Sequence, residues 1–164
     1  MQNYTDRIMT QILFRPFSRH LISGLVLLTF FSSVFATCTK AEVEKADNRW
    51  ANAIDSNNVN KVVDLYAKTA VLVSTVQTPP IVTRQGRVAY FNKFFHTYKN
   101  VRVTYTDNKY IQVFNGGAVS SGLYTFSGIK HGKKTDVKAR YTFVYRATPN
   151  GCELITHHSS EWPE

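Results

Sequence analysis

From Asn100 onward the chain reads as strand and turn almost without interruption, and this feature most limits what it can fold into. "VRVTYTD" and "KYIQVF" alternate apolar and polar residues, and "NGG" (Asn115 to Gly117) follows as a tight turn. "AVSSGLYTFSGIK" and "TDVKARYTFVYRA" flank a second turn at His131-Gly132. "PNG" (Pro149 to Gly151) makes a third turn before the closing stretch "CELITHHSS". Successive strands joined by such short turns must pair with their neighbours in antiparallel fashion. A long meander therefore forms the C-terminal half of the domain.

The residues before it have a helical period. Val43, Ala46, Trp50, Ala53 and Ile54 recur at spacings of three and four, which makes one apolar stripe. Asp47 and Asp55 are read as lying off that stripe. "DSNN" breaks the helix, and Asn57 or Asn58 caps a short second one carrying Val59, Val62, Val63 and Tyr66 on one face. "AVLVS" (Ala70 to Ser74) is a short β-branched strand that ends at "QTPP". A third helix starts near Thr83, with Val88, Phe91, Phe95 and Tyr98 on one side. Helices followed by a meander predict an α+β fold, in which one face of the sheet is buried on the helices. In "RYTFVY", Thr142 and Val144 lie opposite Tyr141, Phe143 and Tyr145, so this strand has apolar residues on both faces. Such a strand argues for assembly with a further copy through the outer face of the sheet.

The N-terminus reads differently. Arg7, Arg15, Arg19 and His20 precede an apolar run from Leu21 to Phe35, and "VFA" follows with Val34 and Ala36 at signal-peptidase positions. The run is shorter than the about 20 residues of a spanning helix, which favours a cleaved secretory signal over a retained anchor. Thr37 before Cys38 disfavours a lipoprotein signal. The expected organisation is a signal peptide over residues 1–36, cut after Ala36, and one domain over residues 37–164. The mature protein is expected in the periplasm or the medium, without stable membrane insertion. Its charge stays near +7 of the full chain's +9. The densest basic stretch, "KHGKK", falls at a turn and reads as a solvated face. Export and the lack of a continuous basic stripe argue against nucleic acid as a partner. Cys38 and Cys152 both survive cleavage. In an exported chain they suggest one disulfide, with two free thiols as the alternative.

The paired histidines of "ITHHSSEWPE" are the most chemical feature of the sequence. Alternation sends His157 and His158 to opposite faces of their strand, so they cannot share one metal ion. No further ligand spacing supports a metal site, and no cofactor is expected. The carboxylates Asp107, Asp136 and Glu153 read as solvated groups near strand ends or turns.

"RWANAIDSNNVNKVVDLYAKTAVLV", "RQGRVAYFNKFF", "SGLYTF", "ARYTFVY" and "HHSSEWP" together resemble the association domain of calcium/calmodulin-dependent protein kinase II. The resemblance is greatest to free-standing bacterial members within the nuclear-transport-factor-2-like (SnoaL-like) superfamily, over about residues 39–163. It implies a cone: a curved antiparallel sheet around a long helix, with a pocket at one end and dimerisation through the sheet. It does not imply kinase activity, since no Gly-rich phosphate loop, H-R-D or D-F-G motif is present. By the family pattern Ile155, His157 and Ser159 point inward, while Thr156 and His158 join Thr142 and Val144 at the oligomer interface. The pocket would then be lined by Tyr90, Tyr124, Phe126, Tyr141, Phe143, Tyr145, His157 and Ser159. Arg84 and Arg87 would stand at its rim. Where the kinase domains carry pocket arginines, the matching places hold Tyr124, Phe143 and Ser159.

Relatives on this fold include ketosteroid isomerases and dehydratases, which need a pocket base. Here His157 is the one candidate, and no His–Asp spacing stands out. The leading expectation is an exported homo-oligomeric module that binds a small apolar or weakly anionic ligand. An enzyme using a pocket His or carboxylate is the second expectation, and a bare scaffold is the third.

Overall fold

The computed structural model describes residues 37–162, with the backbone alone at 108; the signal-peptide reading falls outside these residues. The order of elements is α1 (Lys40–Asp55), α2 (Val59–Val63), β1 (Tyr66–Val73), α3 (Arg84–Thr97), β2 (Lys99–Phe114), β3 (Gly117–Lys130), β4 (Lys133–Thr148) and β5 (Gly151–Glu161). The five strands form one sheet in the order β1-β5-β4-β3-β2. The meander β2 to β5 is antiparallel, as the short turns require. The β1–β5 pair is parallel, so the sheet is mixed at one edge. The β3–β4 turn places His131 and Gly132 at φ of 50° and 75°, the double left-handed geometry of a two-residue hairpin.

Local chemistry starts each helix. Thr39 caps α1 in a capping box, its hydroxyl accepting from the Glu42 amide while the Glu42 carboxylate accepts from the Thr39 amide. Asn58 and Thr83 cap α2 and α3 in the same acceptor role. Helix α1 packs against β2, β3 and β5. At its end Asn57 bonds the amide and carbonyl of Val101, and the Asp55 carboxylate accepts from the Val103 amide at 2.7 Å. These bonds hold the helix end against the edge strand.

Two irregularities set which side chains face inward. In β2 the register shifts between Tyr105 and Lys109, where four steps oppose two on β3. The two extra residues preserve parity, so Tyr105 and Lys109 both reach the helix side. "VRVTYTD" and "KYIQVF" are thus one interrupted strand. In β5 the pairing moves from Val144–Thr156 to Tyr145–Leu154, which leaves Ile155 as a bulge. His157 is buried beyond it, and Cys152 and Leu154 are buried before it. Ile155 was expected to point inward with His157; the bulge gives that place to Leu154 and leaves Ile155 half-buried at the edge of the core.

Two other sequence expectations change. Tyr66 belongs to β1 rather than to the second helix. Asp47 is fully buried, not off the stripe. The Asp47 carboxylate accepts from the Ser120 and Tyr145 hydroxyls, each at 2.7 Å, and pairs with the Lys109 ammonium at 3.2 Å. Lys109 in turn lies 4.3 Å from the centre of the Tyr105 ring. A buried carboxylate survives only when partnered in this way. Cys38, just before α1, is bonded to Cys152 at the start of β5, with their Cα atoms 5.5 Å apart.

Because Asp47 joins α1 to three strands through charge and hydrogen bonds, Asp47→Ala should lower unfolding stability by about 3–5 kcal/mol, the cost of breaking a buried pair. Lys109→Met leaves the buried carboxylate without its cation and should cost a similar amount. Urea denaturation of both variants checks this; a negligible loss for Lys109→Met would show that the Ser120 and Tyr145 hydroxyls alone sustain the carboxylate.

Candidate functional site

His157 comes from β5 and is buried between Tyr66 of β1, Tyr124 of β3 and Trp50 of α1. Each partner arrives for a local reason. Trp50 lies on the α1 stripe, Tyr124 is at an inward position of β3, and Tyr66 opens β1, where the parallel pairing sets it beside β5. The Trp50 indole packs edge-on against Tyr124 and His157 and tilted against Phe143, with ring centres 5.9, 5.1 and 5.1 Å away. Together with the two tyrosines these rings bury the imidazole. Burial lowers the His157 pKa to about 3, so the ring is neutral near pH 7.

Hydrogen bonds fix the tautomer. The Trp50 N–H can only donate, and it reaches the Tyr66 hydroxyl at 3.1 Å. The Tyr66 oxygen lies 2.7 Å from His157 Nδ1. If Nδ1 carried the proton, the buried Tyr66 hydrogen would lack an acceptor. The arrangement that satisfies every group has Tyr66 donating to a bare Nδ1. Neutral His157 then carries its proton on Nε2, which faces the Tyr124 hydroxyl at 3.4 Å, the loosest step. Tyr124 donates onward to Ser159 Oγ at 2.7 Å. Burial also raises the pKa of the Tyr66 and Tyr124 phenols, which keeps both protonated.

Ser159, at the end of this relay, lines a cavity in two parts. The outer part has a volume of about 110 Å³, with Tyr90, Phe94, Tyr98 and Phe126 as aromatic walls and Thr75, Val76 and Glu161 at the mouth. A smaller space of about 30 Å³ continues past Tyr90, Phe94, Phe126 and Ser159 to Trp50, Tyr124 and His157. The walls interlock: Phe94 meets Phe126 edge-on at 5.4 Å and lies nearly parallel to Tyr90. Thr75 anchors the mouth, its hydroxyl donating to the Ser159 carbonyl and accepting from the Glu161 amide.

The structure brings together Tyr90, Tyr124, Phe126, His157 and Ser159 of the residues expected around the pocket. Tyr141, Phe143 and Tyr145 face the helix side but lie in the core outside both spaces, where Tyr145 is bonded to Asp47. Burial pushes the Tyr141 phenol up to about 12. Neither arginine stands at a rim. Arg87 is buried and donates to the carbonyls of Ala70 and Ala67, and exposed Arg84 pairs with Asp64 at 2.6 Å. Helical spacing alone does not show that Arg87 faces the gap between α3 and β1, or that Arg84 turns to the Asp64 carboxylate. Thr142, Val144, Thr156 and His158 occupy the outer side of the sheet; His158 is exposed and the other three are half-buried.

Sequence reasoning missed Trp50, Tyr66, Phe94 and Asp47 as site or support residues. For Asp47 a signal existed: Val43, Asp47, Trp50 and Ile54 are spaced four, three and four, which is one helix face. Tyr66 had none, because only pairing with β5 brings it to His157. No group of three or more His, Cys, Asp or Glu side chains is placed to hold a metal ion among the described residues.

The buried neutral imidazole predicts a pH effect. The unfolded chain takes up a proton near pH 6.5, whereas the folded chain resists it until about pH 3. The contribution of His157 to stability is therefore intact above pH 6.5 and is lost as pH falls toward 3, by about 1.4 kcal/mol per pH unit in the steepest part. Denaturation curves between pH 7 and 4 should fall more steeply for the natural protein than for His157→Gln. Parallel curves would mean that His157 titrates normally.

Comparison with known proteins gives a consistent assignment. The family model for the calcium/calmodulin dependent protein kinase II association domain matches residues 39–163. A Xanthomonas campestris protein provisionally named for that domain is 35% identical, with 75% of this chain and 87% of that chain covered and a TM-score of 0.68. A Streptomyces avermitilis protein, provisionally named a dehydratase of the NTF2-like family, is 16% identical, covering 76% and 97%, with a TM-score of 0.67. A ketosteroid isomerase-like protein from Erwinia carotovora atroseptica is also 16% identical, covering 76% and 96%, with a TM-score of 0.64. The last two establish likeness of fold alone. No curated protein matches the chain. On the match over residues 39–163, with the same α+β architecture behind it, the chain belongs to the calcium/calmodulin dependent protein kinase II association-domain family.

Proposed function

We propose that this protein is an exported, non-catalytic association module that assembles with copies of itself and holds a small apolar molecule. The observation that carries the binding reading is the aromatic cavity running inward to Ser159 and the His157 relay. Apolar walls with a few convergent polar groups are the usual make-up of a ligand site. Catalysis by His157 is the weaker reading. Its Nδ1 is engaged by Tyr66, and a base that protonates only near pH 3 takes few protons at neutral pH.

Self-assembly is supported by the outer face of the sheet. Val119 pairs with Val144, Ser121 with Thr142, and Val144 with Thr156, which makes a stripe of small and β-branched residues without a charge. Arg140, Arg146 and His158 flank it as exposed groups. Such a patch, apolar at its centre and polar at its rim, has the make-up of an interface. Export rests on the N-terminal charged and apolar segments of the sequence.

Native mass spectrometry of the protein from its own exported fraction tests the assignment. A homo-oligomer of a chain starting at Thr37 and carrying an extra small mass is the expected result. A monomer would overturn the sheet-face assembly, and a chain retaining its N-terminus would overturn cleavage. Val144→Glu should convert the oligomer to monomers, read by light scattering, while the far-ultraviolet circular dichroism stays unchanged.

A further inference from the structure

The relay around His157 has a direction, and that direction specifies a ligand. Trp50 can only donate, so every hydrogen of the chain points outward: Trp50 to Tyr66, Tyr66 to His157, His157 to Tyr124, and Tyr124 to Ser159. Ser159 Oγ accepts the last bond and has no protein acceptor for its own hydrogen among the described residues. The free end of the chain is therefore an O–H donor on the residue that lines both parts of the cavity. Aligned bonds polarise one another, which strengthens that terminal donor.

Charge narrows the class further. Among the cavity-lining side chains the carboxylate of Glu161 is the one formal charge, and it stands at the mouth. His157 is held neutral by burial. The nearby guanidinium of Arg87 is committed to two backbone carbonyls. Lys130 sits 5.3 Å from the centre of the Tyr98 ring and does not line the cavity. A ligand carboxylate would thus enter past a like charge and find no cation to replace its water.

We propose that the cavity selects uncharged aromatic or alicyclic molecules that carry a carbonyl oxygen, which accepts the Ser159 hydroxyl while the ring lies among Tyr90, Phe94 and Phe126. This rests on the binding reading above and narrows it: the anionic ligands expected from sequence are excluded, and apolar ones gain a required acceptor.

Three one-ring probes separate the possibilities: acetophenone, ethylbenzene and benzoate, titrated into isotope-labelled protein and followed by amide chemical shifts. Acetophenone should bind about fivefold more tightly than ethylbenzene, the worth of one hydrogen bond, and at least about tenfold more tightly than benzoate. Ser159→Ala should bring the acetophenone-to-ethylbenzene ratio to about one, because the hydrogen bond that separates them is gone. Glu161→Gln should narrow the benzoate deficit by about threefold. Equal binding of all three probes, tighter binding of benzoate, or a ratio indifferent to Ser159→Ala would overturn the selectivity while leaving a binding cavity. Binding of none would overturn the cavity as a ligand site, and the selectivity with it.

Discussion

Trp50 is the contact on which the rest of the interior depends. Its ring touches Tyr124, Phe126, Phe143 and His157, which come from three different strands, so one side chain of α1 holds the helix to the sheet. Its N–H begins the hydrogen-bond chain that ends at the cavity. A residue that is both packing and donor couples fold to site directly. The imidazole is neutral because the indole and its neighbours bury it, and its tautomer is fixed because the indole can only donate.

One turn earlier on the same helix, Asp47 does with charge what Trp50 does with area. It gathers Ser120, Tyr145 and Lys109 from three strands, and Lys109 reaches it because the β2 irregularity adds two residues without changing parity. The interior thus has two polar centres separated by aromatic rings. The Asp47 centre is closed and lies outside the cavity. The His157 centre opens on the cavity through Ser159. That contrast is why the proposed ligand contact lies at Ser159, on the histidine relay, although the carboxylate is the stronger acceptor.

Membership of the association-domain family gives the architecture, and the inward side chains of this chain give the cavity its own chemistry. Arg87, the one arginine buried among the described residues, donates to the carbonyls of Ala67 and Ala70 in β1, and the cavity presents hydroxyls and rings. A shared fold leaves the chemistry of its pocket to a few inward positions.

The sequence by itself determined the elements and most of their faces. Periods of three to four and of two are local properties of the backbone, so the helices, the meander and the opposite faces of His157 and His158 could be read along the chain, whereas which face turns inward came from the family resemblance. The capping residues Thr39, Asn58 and Thr83 likewise act within a single turn. Only the tertiary structure decided the parallel entry of β1, the bulge at Ile155 and the direction of the relay. Each depends on partners far apart in the chain: Tyr66 meets His157 across 91 residues, and Asp47 meets Tyr145 across 98. Arg87 shows the same limit. A helical pattern gives the side of α3 on which it lies, but β1's carbonyls, set by sheet pairing, decide that its charge is buried and spent.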